Sequence, residues 1–256
     1  MSSSTLYDNA PAWSFLGLEP LRAVIEYASM QLMNTASFPP GDGHPVVIFP
    51  GLASDHMSTA PLKDFCNRLG YTAYDWGLGV NTGPEGDVDA WIGRLASHVR
   101  DLTSPHRQQV SLIGWSLGGI CAREVAKQLP GRVRQVITMG TPFRGTAEQN
   151  DLTWIHGPAG GQKPEVNKEF MARLSRAPDV PTTSIFSRSD GVVDWQACTH
   201  DGKQRRTEDI EVDSSHLGLG WNPEVLSIIA DRLGKKKAPR PIVPAALPQR
   251  MLSPGR

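Results

Sequence analysis

Net charge is the first thing missing. Among 256 residues, 26 basic and 26 acidic side chains cancel, so the chain offers no positive footprint for nucleic acid and no bias toward an acidic or basic partner. Cysteine is scarce. Cys66, Cys121 and Cys198 form an odd set without C-x-x-C spacing, which points to free thiols in a reducing compartment rather than a disulfide framework or a zinc site. H-E-x-x-H is absent and the histidines are scattered, so neither a metal nor a cofactor is expected. No apolar run approaches membrane-spanning length. The opening MSSSTLYDNAPAW has neither the basic start nor the apolar core of a secretion signal, and the expectation is a soluble cytoplasmic protein without stable membrane insertion. There is no internal repeat.

What is present centres on Gln109 to Leu129. Val110 to Ile113 reads as a strand buried on both faces. Gly114-Trp115-Ser116-Leu117-Gly118-Gly119 follows, and then a helical pattern with Ile120, Cys121, Val125 and Leu129 on one side, ended by Pro130-Gly131. Strand, G-x-S-x-G and helix in direct succession is the context of a nucleophile elbow. A serine on so sharp a turn sits in strained backbone, so its neighbours must lack bulk. The helix N-terminus then aims free N–H groups at the place where an oxyanion would form.

Along the rest of the chain, Leu21, Val24/Ile25, Ala28 and Leu32 recur at helical spacing, giving an amphipathic helix over Glu19 to Met33 that packs on the outside of the domain. Strands are expected at Pro45 to Phe49, Thr72 to Trp76, Val133 to Met139, Thr183 to Ser187 and Ile210 to Val212. Helices are expected from Pro61 to Leu69, over the Val88–Leu102 stripe, around Phe170 and Leu174, and from Pro223 to Gly234. Gly77 to Gly86 holds four glycines without G-x-G-x-x-G spacing, so it does not read as a nucleotide loop. Alternating strands and helices imply a parallel sheet covered on both faces.

Serine needs a base, and the base needs an orienting acid. In such a sheet both follow the serine, acid first, at the carboxyl ends of the strands. That order leaves two histidines, His200 and His216. His216 sits just past the last strand and ahead of the last helix, and is the expected base. For the acid, Asp190 lies in the turn directly beyond the Thr183–Ser187 strand, with Asp194 as the alternative. Two backbone amides would form the oxyanion hole, Leu117 after the serine and Leu52 after the first strand, where Gly51 lets the chain turn inward.

Phe49-Pro50-Gly51, Gly114 to Gly119, Met139-Gly140-Thr141-Pro142-Phe143-Arg144-Gly145, Ser189-Asp190-Gly191 and Ser215-His216-Leu217-Gly218, taken in this order, resemble the α/β-hydrolase superfamily and its bacterial lipase-like and esterase-like members. Many lipases open the oxyanion loop with His-Gly, whereas Pro50-Gly51 stands here. The two leading antiparallel strands of the full fold are not visible, so the resemblance implies a mostly parallel sheet of about six strands with a small cap insertion. The resemblance covers a catalytic domain over 45–234 with the cap at about 143–181; helical spacing and a turn-rich linker give an N-terminal extension over 1–44, and the basic, proline-rich, aperiodic composition of 235–256 reads as a disordered tail. The implied activity is hydrolysis of a small-molecule carboxylic ester through a Ser116–His216–Asp190 triad and an acyl-enzyme. Trp115, Trp154 and Phe170 would contact substrate, with Ile155, Met171 and Leu174 lining an apolar acyl pocket; a plain packing helix is the alternative for that segment. Two other functions compete: acyl transfer to an alcohol or amine on the same triad, and non-enzymatic ligand binding, which an incomplete triad would favour.

Overall fold

The apolar runs pair into one sheet. The computed structural model describes residues 13–144, 168–200, 202 and 204–235. In it, β1 (Pro45–Phe49), β2 (Thr72–Asp75), β3 (Val110–Trp115), β4 (Val133–Met139), β5 (Thr182–Phe186) and β6 (Thr207–Glu211) form a six-stranded sheet in the order β2-β1-β3-β4-β5-β6. Every pairing is parallel. The expected six-stranded parallel fold is therefore the observed one.

Register explains where a site can lie. Phe49 pairs with Gly114, Trp115 with Met139, Met139 with Ile185, and Ile185 with Ile210. The chain runs from β1 out to the edge strand β2 and returns to β3 on the other side, so the switch point falls between β1 and β3. Leu52, Ser116, Asp190 and His216 all leave the sheet along this one carboxyl edge.

Alternate residues of each central strand feed opposite cores. Val47, Phe49, Leu112 and Val136 pack under α4 (Val88–Leu102) and α5 (Leu117–Gln128), while Val46, Ile48, Ile113 and Ile137 pack under α3 (His56–Arg68) and α7 (Pro223–Gly234). Two shorter helices, α1 (Trp13–Leu16) and α6 (Lys168–Leu174), and α2 (Glu19–Gln31) complete the set.

Three elements differ from expectation. The helix expected from Pro61 begins at His56, because Asp55 caps it by accepting from the Met57 amide at 2.9 Å; Pro61 then lies inside the helix at the loss of one backbone bond. β6 starts at Thr207 rather than Ile210. As an edge strand carrying Thr207, Glu208 and Asp209 it has no apolar period to read. The third is α2, which packs on the outside of the domain with the opposite face. Ile25 and Leu32 are 57% and 88% exposed, and Leu21 and Val24 also face out, while Glu19, Arg22, Ala23, Glu26 and Met30 face the protein. Most of the expected cap, including Trp154 and Ile155, the tail beyond Lys235, and the Met171 side chain lie outside the described residues.

At the amino ends of the strands, His44 is fully buried. Its Nδ1 is bonded to Asp42 and its Nε2 lies 2.8 Å from the Ser111 hydroxyl. Arg134 donates to the other Asp42 oxygen at 2.7 Å. Burial, aided by the Arg134 charge and opposed by Asp42, holds the imidazole pKa below its ordinary value. Unfolded His44 takes up a proton near pH 6.5 while the folded one does not, so unfolding binds a proton and stability falls as pH drops through about 6.5. His44→Gln should be less stable than the wild type at pH 8, and the gap in thermal midpoint should narrow toward pH 5. A constant gap would remove His44 as the titrating group.

Candidate active site

Ser116 joins β3 to α5 with φ 53° and ψ −124°, a conformation that a non-glycine residue adopts at a cost of about 1–3 kcal/mol. The sequence makes the turn possible by leaving space. A Cβ on Gly114 would lie 2.3 Å from the Gly118 carbonyl oxygen, and one on Gly118 would lie 2.3 Å from that of Phe49. The helix can thus press against the strand only because both are glycines. The Ser116 amide donates to Met139 O at 2.8 Å, which ties the elbow to the end of β4.

His216 packs against the residue after Met139, at the same end of β4. Its ring lies against Gly140, where a Cβ would come within 3.0 Å of Nδ1 and 3.1 Å of Cε1. Its carbonyl accepts from the Trp115 indole N–H at 3.1 Å, so the residue before the serine holds the base from behind. Trp115 is buried there. Nδ1 lies 2.7 Å from Asp190 Oδ2, and both residues are almost wholly buried. The other Asp190 oxygen accepts from the Val192 and Val193 amides, each at 2.8 Å. An Asx turn therefore fixes the carboxylate in the orientation His216 needs. Asp194, the alternative acid, instead caps the 3-10 turn Trp195–Cys198 by accepting from the Gln196 amide at 2.9 Å.

Three described histidines carry a carboxylate hydrogen-bonded to Nδ1, and their other nitrogen tells them apart. His44 meets Ser111, which is fully buried and out of reach of any substrate. His200, bonded to Asp209 at 2.6 Å, takes Arg123 Nη1 on its Nε2 at 3.0 Å. Arginine only donates, so that nitrogen holds no proton and its lone pair is spent. His216 Nε2 has no hydrogen-bond partner among the described residues. Neither does the Ser116 hydroxyl, and in this state no hydrogen bond joins the two.

The loop after β1 approaches the elbow closely: a Cβ on Gly51 would lie 3.4 Å from the Ser116 Cβ. Among the described residues neither the Leu52 amide nor the Leu117 amide has an acceptor. Asn81 shapes this loop, and sequence reasoning missed it. Fully buried, it donates from Nδ2 to Pro50 O at 2.8 Å, exchanges backbone bonds with Ala53 and Ser54 at 2.8 Å each, and accepts from the Gly83 amide at 3.1 Å. The available signal was one asparagine amid the four glycines of Gly77 to Gly86, all at positive φ. Glycine-rich backbone there serves to wrap one amide side chain, not a phosphate. Phe170 packs in the core with Phe143 and Leu174, while Trp154 lies outside the described residues. A surface recess bounded by Phe38, Pro39, Ser227 and Asp231 shares no residue with the Ser116 cluster.

The buried thiols take no part. Burial raises all three, Cys66 to about 12. Among the described residues no helix is long and apolar enough to cross a membrane.

Comparison with known proteins agrees with this geometry at the level of fold. A model of the alpha/beta hydrolase family matches residues 43–251. The chain is 32% identical over 119 residues to "Serine hydrolase BPHL" of Mus musculus, covering 44% of this chain and 41% of that protein. It is 26% identical over 137 residues to "Pimeloyl-[acyl-carrier protein] methyl ester esterase" of Shewanella woodyi, covering 53% and 48%. The matches thus span less than half the length of these curated relatives. Among solved structures, one from the metagenome-derived lipolytic enzymes LipS and LipT aligns with a TM-score of 0.55 at 16% identity, over 76% of this chain and 93% of that one. Paleococcus ferrophilus monoacylglycerol lipase aligns at 0.55 and 15%, over 77% and 96%. At such identities the likeness speaks for the fold alone. With the family model matched over most of its length, and with the sheet order and elbow described above, the chain belongs to the alpha/beta hydrolase family.

Proposed function

We propose that the protein is a serine hydrolase of carboxylic esters, with Ser116 as nucleophile, His216 as general base and acid, Asp190 as its orienting acid, and the Leu52 and Leu117 amides as the oxyanion hole. The observation that carries this reading is a His216 whose Nδ1 is held by Asp190 and whose Nε2 has no partner among the described residues, with its carbonyl held by Trp115, the residue before a strained, partly exposed serine. The names of the related proteins, lipases and an esterase among them, point the same way.

In the reaction, His216 Nε2 takes the Ser116 proton as Oγ attacks the ester carbonyl. The Leu52 and Leu117 N–H groups hold the tetrahedral oxyanion. Collapse breaks the bond to the alcohol oxygen, which leaves with the proton from His216. Water then attacks the acyl-serine, giving its proton to His216, and Ser116 recovers that proton as the carboxylic acid departs. Asp190 accepts from Nδ1–H throughout, fixing the tautomer and stabilising the imidazolium. The step this requires is closure of the Ser116–His216 bond when substrate arrives, since such bonds are often long in unliganded sites. The working unit spans 45–234, and a partly apolar acyl group from a small-molecule ester is the substrate class.

A fluorophosphonate probe tests the reading. Mass spectrometry of the digested adduct should place the label on Ser116, and p-nitrophenyl esters should protect against it in proportion to their occupancy. Ester hydrolysis with the label elsewhere, or with none, would refute the nucleophile.

A further inference from the structure

We propose that α2 is a brace on the acid–base pair and that Glu19 is its positioning residue. The proposal rests on the serine-hydrolase reading and reaches beyond the matched family region, because α2 lies outside residues 43–251.

Glu19 is a carboxylate only 2% exposed, at the first position of α2. Its Oε1 accepts from the Gly191 amide at 2.8 Å and its Oε2 from the Leu217 amide at 3.0 Å. Gly191 follows Asp190, and Leu217 follows His216. One buried carboxylate therefore spans the peptide units directly after the acid and directly after the base. Its charge is met by two N–H donors and the positive end of its own helix.

The rest of α2 repeats the pattern on the other flank of each residue. Arg22 donates to the Ser189 carbonyl at 2.5 Å and to the Ser189 hydroxyl at 2.7 Å, immediately before Asp190. Glu26 accepts from the Ser215 amide at 2.8 Å and its hydroxyl at 2.5 Å, immediately before His216, and from Asn222 Nδ2 at 3.2 Å. The Trp221 indole donates to Ala23 O at 2.8 Å. On the acid side glycine also lets α1, the turn leading into α2, come close, since a Cβ on Gly191 would lie 2.5 Å from the Leu16 nitrogen. Residues 189, 191, 215 and 217 are all held by one helix, with Asp190 and His216 between them.

A helix attached only for packing would bury its apolar stripe. α2 turns that stripe outward and buries just Ala23 and Met30 of its apolar residues. Its attachment is the polar contact set, and that set is centred on the two loops whose spacing sets the 2.7 Å His216–Asp190 bond. Shifts of about 1 Å in such a pair cost about 100-fold in rate.

The test uses the full chain with Glu19→Gln, Glu19→Asp and an outward-facing control, Leu21→Gln. Three quantities are read well below each thermal midpoint: kcat and KM on a p-nitrophenyl ester, the pH profile of kcat/KM, and the downfield proton resonance of His216 Nδ1–H. Glutamine opposes one loop amide with its own N–H. Glu19→Gln should lower kcat about 10- to 100-fold with KM within about threefold, displace the acid limb of the profile by about half a pH unit or more, and shift or broaden the resonance. Aspartate keeps the charge but is one methylene short, and should fall between Glu19→Gln and wild type. Leu21→Gln should match wild type. A folded Glu19→Gln with wild-type kcat, profile and resonance would overturn the brace. If that variant does not fold, Glu26→Gln, which loosens only the histidine side, decides by the same readings, and wild-type behaviour there overturns the proposal. Should the wild type prove inert toward esters and probe, the serine-hydrolase reading fails on its own. The resonance needs no substrate and still decides Glu19.

Discussion

Ser116→Ala should reduce ester turnover by about 10⁶-fold while leaving the fold intact. The size follows from what alanine removes. Without Oγ there is no covalent step, so only the oxyanion amides and substrate positioning remain, and these retain about 10³–10⁴ over water. A loss of six decades corresponds to about 8 kcal/mol of transition-state stabilisation. Alanine keeps a Cβ and so keeps the same strained φ of 53°; the thermal midpoint should move by no more than a few degrees. Rates and midpoints on matched preparations check both halves. Retained turnover at even one hundredth of the wild-type rate, with Ser116 absent, would place the nucleophile elsewhere.

The parts of this protein legible in the sequence are those whose physics is local. β3 is buried on both faces, so its apolar run needs no knowledge of neighbours, and Gly114 and Gly118 announce a close backbone approach. Asp190 in the turn past β5 and His216 past β6 follow from topology once a parallel sheet is accepted. What the sequence conceals is polar and long-range. The three Asp–His couples look alike as residue types, and only the group on each Nε2 separates them. Ser111, Arg123 or neither is a fact of tertiary structure. α2 was the sharpest reversal. Its apolar stripe obeys the helical period, yet Glu19 and Glu26 face inward because two loops from distant parts of the chain, more than 170 residues away, present amides that need acceptors. Hydrophobic periodicity predicts which face is buried only where nothing else demands the polar one. Asn81 escaped for the same reason: its partners Pro50 and Ala53 lie about one strand–helix–strand unit earlier.

Asp190→Asn should lower kcat by about 10⁴-fold, and Asp209→Asn by no more than a few fold. Both substitutions replace the carboxylate on a histidine Nδ1, so chemistry alone does not separate them. The surroundings do. In Asp190→Asn the Oδ1 position can still accept from Val192 and Val193, which turns the new amide N–H toward His216 Nδ1. That nitrogen must then accept, the ring proton moves to Nε2, and the base can no longer take the proton of Ser116. At His200 the tautomer is fixed from the far side. Arg123 donates to Nε2 at 3.0 Å, so Nδ1 keeps its proton, and in Asp209→Asn the new side-chain carbonyl can turn to receive it only by setting the new NH2 against the His200 amide, which the second Asp209 oxygen accepts from at 2.8 Å. The loss in that variant is therefore one of stability, about 1 kcal/mol for a part-buried bond weakened from charged to neutral with one amide donor left opposed, read as a lower thermal midpoint with kcat almost unchanged. Measuring kcat and midpoint on both variants separates the couples. The reverse outcome, a rate collapse in Asp209→Asn and a merely unstable Asp190→Asn, would make His200 the base and move the active centre to His200, whose ring packs 4.6 Å from that of Phe143.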